Sequence, residues 1–402
     1  MNINELHLLK NVNFAGEKFN EKEIMKILFV IDVYFTTNNG TSISAQRFAE
    51  ELRKRGHEVR IMTTSEPREG IYGLPEMNFF IFNGMIHKQG FKYAKCDKKV
   101  IREAVEWADV VHCFFPFFLE TRTKKIADLL GKPVTAAFHV QPQNISSQFG
   151  LGKSEWVNNR IFSILRRAVY DHFGHVHAPS RFMAEEIESR GYKAKVHAIS
   201  NGIQSDFTWN KVPKKPEYEG KILIAMVGRL SAEKRQDIII NALQYSKYGD
   251  RIQLIFAGKG PKYKQYYRLG RKLKNPPVFT YLPKEDLKNM LGQCDLYVHA
   301  SDMESEAISC IEAFATGLVP VIANSDLSAT RQFALDGRSL FKPGDPKDLA
   351  RAIDYWLDNP EEKAKMEKIY SESAKKYDIN HSIDLFEEML QEAIDDCSGG
   401  RK

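Results

Sequence analysis

Short apolar runs alternate along the chain with longer amphipathic stretches. "MKILFVIDVYF" (Met25 to Phe35) opens the pattern, and "EVRIMTT", "DVVHCFF", "PVTAAFH" and "HVHAPS" continue it. The intervening stretches place apolar residues three or four apart. "SISAQRFAEELRKRGHEV" is the clearest, and it reaches Gly56, a residue type that commonly ends a helix. Strand-sized apolar runs alternating with helices predict a parallel sheet covered on both faces. "NNGT" (Asn38 to Thr41), between the first strand and the first helix, predicts a turn.

The plan restarts at "KILIAMVGRL" (Lys221 to Leu230) and repeats through "QLIFAGKGP", "VFTYLP", "DLYVHAS" and "VPVIANS". Between the halves lies "SDFTWNKVPKKPEYEGK", rich in Pro and charge and poor in periodic apolar residues, which is a linker composition. The tail "INHSIDLFEEMLQEAID" reads as an amphipathic helix. The α/β pattern therefore divides into a domain over 25–208, a second over 218–376 and a terminal helix over 377–396. Two doubly wound sheets of this kind bind ligands in the crevice at their carboxyl edges.

Composition narrows the function. The 402 residues are 43% hydrophobic and 27% charged, the profile of a soluble globular protein. No apolar run approaches the roughly 18 residues of a membrane span. The first 24 residues lack the basic start and apolar centre of a signal peptide. The five cysteines show neither CxxC nor metal-like spacing, so a reduced cytoplasmic setting is expected. The net charge of +6 divides as +5 over residues 1–210 and +1 over 211–402. That modest bias suits an anionic membrane or a phosphorylated ligand. No zinc-finger spacing, RNA-binding aromatic motif or basic stripe points to nucleic acid.

The chemistry concentrates in a few segments. "GRLSAEK" places Gly228, Arg229 and Lys234 just after a strand, where fixed positive charge can grip a diphosphate. "ASDMESEAISCIEAFATGLVPVIANS" carries Glu304 and Glu312 in a segment otherwise fit for a core. One carboxylate can accept both adjacent hydroxyls of a ribose. "VGRLSAEKRQD", "FAGKGP", "ISNGI", "RKRGHEV" and the E-x7-E pair occur in the order seen in retaining family-4 glycosyltransferases, and the resemblance covers about residues 25 to 390. It implies the GT-B fold, two Rossmann-like domains facing a cleft, with the terminal helix crossing back to the first domain.

The same resemblance assigns roles. Arg229 and Lys234 would hold the diphosphate and neutralise the leaving group, Glu304 would lie by the donor sugar, and Glu312 would hold the ribose. The helix N-terminus between the carboxylates would face the donor, with Ser309 helping to cap it. Gly40 matches a glycine loop near the diphosphate or acceptor, Asn201 lies in the "SNGI" segment at the cleft, and the backbone at Tyr281 and Leu282 matches a uracil-reading segment. His139 matches a histidine beside the donor sugar. No carboxylate pair that would signal double displacement is recognisable, and the route that the resemblance implies is front-face transfer with retention. A UDP-sugar, UDP-glucose or UDP-galactose, is then a co-substrate. No cofactor and no metal is expected at the diphosphate, because basic residues take that place. His172, His175 and His177 read as a strand and its approach rather than a metal site.

The acceptor half is read from composition. "HKQGFKYAKCDKKVIR" carries Lys88, Lys92, Lys95, Lys98, Lys99 and Arg102 with interleaved aromatics, the make-up of a segment drawn to anionic lipid. "FFPFFLE" sets Phe114 and Phe115 after a cleft-facing strand, where they are expected to line a groove for acyl chains. "ESEAISCIEA", "FHVQPQN" and "LSATRQFAL" resemble diacylglycerol and ceramide glycosyltransferases. The expected acceptor is a membrane lipid, and the expected location is the inner face of the cell membrane, bound peripherally. Assembly of a capsular or cell-wall glycan is the nearest alternative. A nucleotide-sugar epimerase, which turns over donor without acceptor, and a non-catalytic nucleotide-sugar-binding protein are the others.

Overall fold

The computed structural model describes residues 23–36, 39–80, 83–88, 91–146 and 154–399. Two all-parallel sheets carry the chain. The first has seven strands: β1 Lys26–Val30, β2 Glu58–Thr64, β3 Ile71–Leu74, β4 Val110–Cys113, β5 Val134–Ala137, β6 His175–Ala178 and β7 Lys195–Ala198, in the order β3-β2-β1-β4-β5-β6-β7. The second has six: β8 Ile222–Val227, β9 Ile252–Ala257, β10 Val278–Thr280, β11 Leu296–His299, β12 Pro320–Ala323 and β13 Leu340–Phe341, in the order β10-β9-β8-β11-β12-β13. The central strands are buried along almost their whole length because helices cover both faces.

Each order reverses direction once, between β1 and β4 and between β8 and β11. At such a switch point the helices after the two strands leave on opposite faces, opening a crevice at the carboxyl edge. The loops after β8 and β11 therefore carry the second half's site, and those after β1, β4 and β5 carry the first half's.

The terminal helix Ile379–Gly399 packs on a face of the first sheet. Its apolar stripe Ile383, Phe386, Met389 and Leu390 is fully buried in a cluster with Phe29, Phe48 and Phe114. Phe386 meets Phe29, Phe48 and His112 edge-on. Arg55 fastens the outer side to Asp384 at 2.6 Å and to Glu387 at 3.2 Å.

The chain crosses between the halves twice, and the crossings run side by side. The Ile203 amide donates to the Tyr377 carbonyl at 2.8 Å, and the Ile379 amide donates back to the Ile203 carbonyl at 2.9 Å. Gly202 stands at this contact with a φ of +73°, and a Cβ there would lie 2.8 Å from the Ile379 Cα. Close approach and a left-handed backbone both demand glycine. Among the described residues, no helix is long and apolar enough to cross a membrane.

Candidate active site

The loop after β8 is shaped by a neighbouring glycine. Gly258, just past β9, presses so close that a Cβ would lie 1.9 Å from the Gly228 carbonyl oxygen. The chain then turns through Ala232–Lys234. Arg229 is exposed, and Lys234 is largely covered.

The loop after β11 brings Glu304 onto Lys234, and their side chains form an ion pair. His299 approaches the same Glu304 oxygen at 2.9 Å, and Ser301 and Tyr297 hold the His299 ring at 3.0 and 3.3 Å. Burial alone would raise the Glu304 carboxyl. Lys234 and His299 outweigh it and hold the group well below the usual carboxylate range. Burial lowers His299, so its ring is neutral at physiological pH. Sequence reasoning missed His299, and nothing in "DLYVHAS" distinguishes it from a core histidine.

The helix Ile308–Ala315 begins directly beyond. Its N-cap is Ala307, at φ +74° and ψ +67°, a left-handed conformation costing an alanine on the order of 1 kcal/mol. The Ser309 hydroxyl does not cap this helix, as the sequence had implied. It donates to the Val227 carbonyl at 3.0 Å and accepts from Tyr297 at 3.3 Å, tying the helix to the end of β8. Glu312, one turn further on, is buried and meets Arg47 from the first half at 3.4 Å. Burial pushes the Glu312 carboxyl up and Arg47 pulls it down, with a net rise. Arg47 is a second residue that sequence reasoning missed. It sits mid-helix, and only the fold brings it to Glu312.

Tyr281 and Leu282 follow β10, and Tyr281 is exposed with the Lys259 ammonium 4.3 Å above its ring. Asn201 faces the loop after β11. Its backbone amide and side-chain amide donate to Glu306 at 3.0 and 2.6 Å, and Ser200 donates to the same carboxylate. Ser180 adds a bond to the Ser305 carbonyl at 2.6 Å. Glu306 thus clasps the two halves across their crevice. Burial raises its carboxyl to about 7 against the opposing pull of these donors.

On the first half, Gly40 is not in a loop. Asn39 is the N-cap, accepting from Thr41 and Ser42, and Gly40 is the first residue of helix Gly40–Lys54. The Asx cap defines the turn, so the helix begins two residues earlier than the pattern implied. His139 lies two residues past β5, buried and stacked 6.1 Å from Phe114, and its Nε2 has no partner among the described residues. Burial holds it neutral.

Phe114 does not line a groove. It is 1% exposed and packs among Phe29, His112 and His139 in the core. Phe115 is 5% exposed and turns the other way, into an aromatic cluster with Phe91 and Phe117 at 5.1 and 5.6 Å. Tyr93 completes this cluster, 4.8 Å from Phe91. Consecutive residues leaving a strand point to opposite sides, which separates the two rings. Beneath the cluster, Asp32 and Glu120 form a buried carboxyl pair that the sequence did not reveal. Burial raises Asp32 to about 6 and Glu120 well above its ordinary value.

The basic segment borders this cluster. The Ala94 amide donates to Asp32 at 2.7 Å, which anchors the segment at the carboxyl end of β1. Lys92, Lys95, Lys98, Lys99 and Arg102 are exposed, the last three on the helix Lys98–Trp107 capped by Asp97. Lys92 lies 3.6 Å from Glu76, and Arg102 pairs with Glu106 at 2.8 Å. Lys88 ends the helix Asn83–Lys88, and its side chain lies outside the described part. Phe35 and Phe118 stand exposed after β1 and β4.

Two facing parallel sheets, with a basic loop and two carboxylates at the second switch point, define a GT-B glycosyltransferase. Residues 38–207 match the family described as Glycosyltransferase Family 4, and residues 207–377 match Glycosyl transferases group 1. The chain belongs to this glycosyltransferase family. The alpha-monoglucosyldiacylglycerol synthase of Streptococcus pneumoniae is 23% identical over 322 residues, covering 75% of this chain and 71% of that protein. The catalytic domain of the cholesterol-alpha-glucosyltransferase of Helicobacter pylori is 51% identical, covering 39% of this chain and 98% of that one at a TM-score of 0.38. Anabaena Alr3699/HepE, solved in complex with UDP-glucose, has the same fold at a TM-score of 0.69, with 16% identity over 92% of this chain and 100% of that one.

Proposed function

We propose that the protein moves glucose or galactose from a UDP-sugar to a membrane lipid such as diacylglycerol or ceramide, with retention at the anomeric carbon. One observation carries the reading: the loop after β8, which bears Arg229, brings Lys234 onto Glu304 of the loop after β11 at the second switch point, and Glu312 follows on the helix that this loop opens. In this reading the exposed Arg229 and the Lys234 ammonium meet the diphosphate. They stabilise the charge that builds on the leaving phosphate as the glycosidic bond breaks. Glu304 keeps Lys234 placed until the phosphate takes over that contact. Glu312 accepts the ribose hydroxyls and Arg47 fixes its orientation. The leaving phosphate oxygen takes the acceptor hydroxyl proton on the face where the new bond forms. Fixed cations at the diphosphate make a divalent metal unnecessary there.

The lipid acceptor is supported by the lysine-bordered aromatic cluster at the carboxyl edge of the first sheet, and by the lipid-acting Streptococcus pneumoniae relative. The same patch supports a peripheral position on the inner membrane face. The test is mass spectrometry of defined vesicles incubated with the protein. The donors are UDP-glucose, UDP-galactose and GDP-mannose, and the acceptors are diacylglycerol, ceramide, cholesterol and a soluble oligosaccharide. A hexosyl lipid formed from a UDP-sugar supports the reading. Product only from GDP-mannose overturns the donor, product only on a soluble glycan overturns the acceptor, and conversion of one UDP-hexose into another without acceptor makes the protein an epimerase.

A further inference from the structure

Away from the cleft, two histidines and a carboxylate meet where the terminal helix crosses the end of the first sheet. His175 opens β6, and His197 lies on β7, two residues beyond the residue that pairs with His175. Side chains two apart on adjacent strands share a face. The terminal helix covers that face and lowers Glu392 and Asp396 onto it, one turn apart. His175 Nδ1 lies 3.0 Å from His197 Nε2, and His197 Nε2 lies 3.9 Å from Glu392 Oε2. These three ligand atoms all fall within 4.8 Å of one another.

We propose that His175, His197 and Glu392 bind one Zn²⁺ ion that pins the terminal helix to the sheet. Zinc bonds of about 2.0–2.1 Å in a tetrahedron separate ligand atoms by roughly 3.3–3.4 Å. The observed 3.0 and 3.9 Å straddle that spacing, so small side-chain rotations complete the set. Asp396 supplies the outer support. Its Oδ2 lies 3.0 Å from His175 Nε2, which places the ring proton there and leaves the Nδ1 lone pair facing inward. A carboxylate behind a ligating imidazole is the usual arrangement for orienting a metal-bound histidine. Two imidazoles and one carboxylate suit Zn²⁺ rather than Mg²⁺ or Ca²⁺, which prefer oxygen alone. The fourth position is left for water. The competing cation is Lys195, whose ammonium lies 2.6 Å from Glu392 and is 60% exposed, so it can swing into solvent when the metal enters.

Tag-free protein, stripped with a chelator and desalted, is titrated with Zn²⁺ against a chromophoric competitor. One equivalent is expected per chain, with a rise in melting temperature. His175→Ala and His197→Ala should lose both. Glu392→Gln keeps the shape of a half-exposed side chain and so leaves folding intact, and it should weaken binding. Asp396→Asn should weaken it about 10- to 100-fold, the usual effect of removing an outer carboxylate. Co²⁺ in place of zinc should show tetrahedral visible absorption. A folded wild type that takes up no Zn²⁺, or uptake unchanged in Glu392→Gln and both histidine variants, overturns the proposal and leaves a hydrogen-bonded staple.

Discussion

The two sides of the cleft are built on the same sheet plan, yet they differ in how tightly chemistry constrains them. On the side proposed for the donor, charged groups pair closely: Lys234 with Glu304, His299 behind Glu304, and Arg47 with Glu312. On the side proposed for the acceptor, the corresponding edge carries tilted and edge-on aromatics and exposed lysines. A diphosphate and a ribose present fixed charges and hydroxyls, and few residue types in few geometries can meet them. A lipid surface presents area and diffuse charge, which many sequences satisfy.

That contrast is broken most sharply on the donor side. Arg229→Ala and Lys234→Ala should each lower turnover about 10²- to 10³-fold, or roughly 3–4 kcal/mol, because a charge-assisted contact to developing charge is lost. Circular dichroism of Arg229→Ala should be unchanged, since Arg229 is exposed; Lys234→Ala leaves Glu304 without its cation, so its melting temperature is measured alongside its turnover. Near-normal rates in either variant would remove the diphosphate assignment. Turnover by metal-stripped wild type should not rise when Mg²⁺ or Mn²⁺ is added.

On the acceptor side, replacing Lys92, Lys95, Lys98 and Lys99 by Ser should release the protein from anionic vesicles. Each lysine contributes only about 1 kcal/mol near the surface, and Lys92 less because Glu76 already faces it. Wild-type binding should weaken with salt, since screening acts over about 8 Å at physiological ionic strength. Transfer to detergent-dispersed lipid should survive. Equal sedimentation of wild type and variant would leave these lysines a solvated face.

A smaller effect separates the two carboxylates. Glu312→Ala should raise the donor KM by roughly 10- to 100-fold, the loss of hydrogen bonds to a charged group, while Glu304→Gln lowers kcat. A ribose contact is equal in ground and transition states, so its loss appears in KM. Arg47→Ala should reproduce the Glu312 effect in weaker form. Parallel changes in both constants for Glu304 and Glu312 variants would erase the division.

The smallest effect tests the clasp between the sides. The Glu306 carboxyl sits at about 7 when buried between the halves, above its ordinary value of 4.5. The buried state therefore holds its proton more tightly than a solvated one, and its advantage is lost as pH rises from about 4.5 through 7. Small-angle scattering should show a more compact molecule at pH 6 than at pH 8, and Glu306→Gln should flatten that dependence. Expansion on acidification would reverse the sign and refute the clasp.

The same division explains what the sequence disclosed. The double αβ plan was readable because apolar periodicity is a local signal, whereas the segment with linker composition buries Phe207 in the second core, a packing that its local pattern does not encode. Phe114 and Phe115 were not separable, since only the exit angle from β4 sends one ring towards Phe29 and His139 and the other towards Phe91 and Phe117, both of them buried. Asn39 took the capping role that the sequence left to a turn containing Gly40. Arg47, His299 and the Asp32–Glu120 pair depend on contacts between distant segments, which no local pattern encodes.

The most direct measurement is the fate of the hexose. Protein, isotopically labelled UDP-glucose or UDP-galactose, and anionic vesicles containing a candidate lipid are incubated together, and the extracted lipid is analysed by mass spectrometry and NMR. The account predicts labelled hexosyl lipid whose anomeric configuration matches the α-linked donor, formed by wild type and nearly absent with Arg229→Ala. Labelled lipid of inverted configuration, or donor consumed with no glycosyl lipid formed, would contradict it.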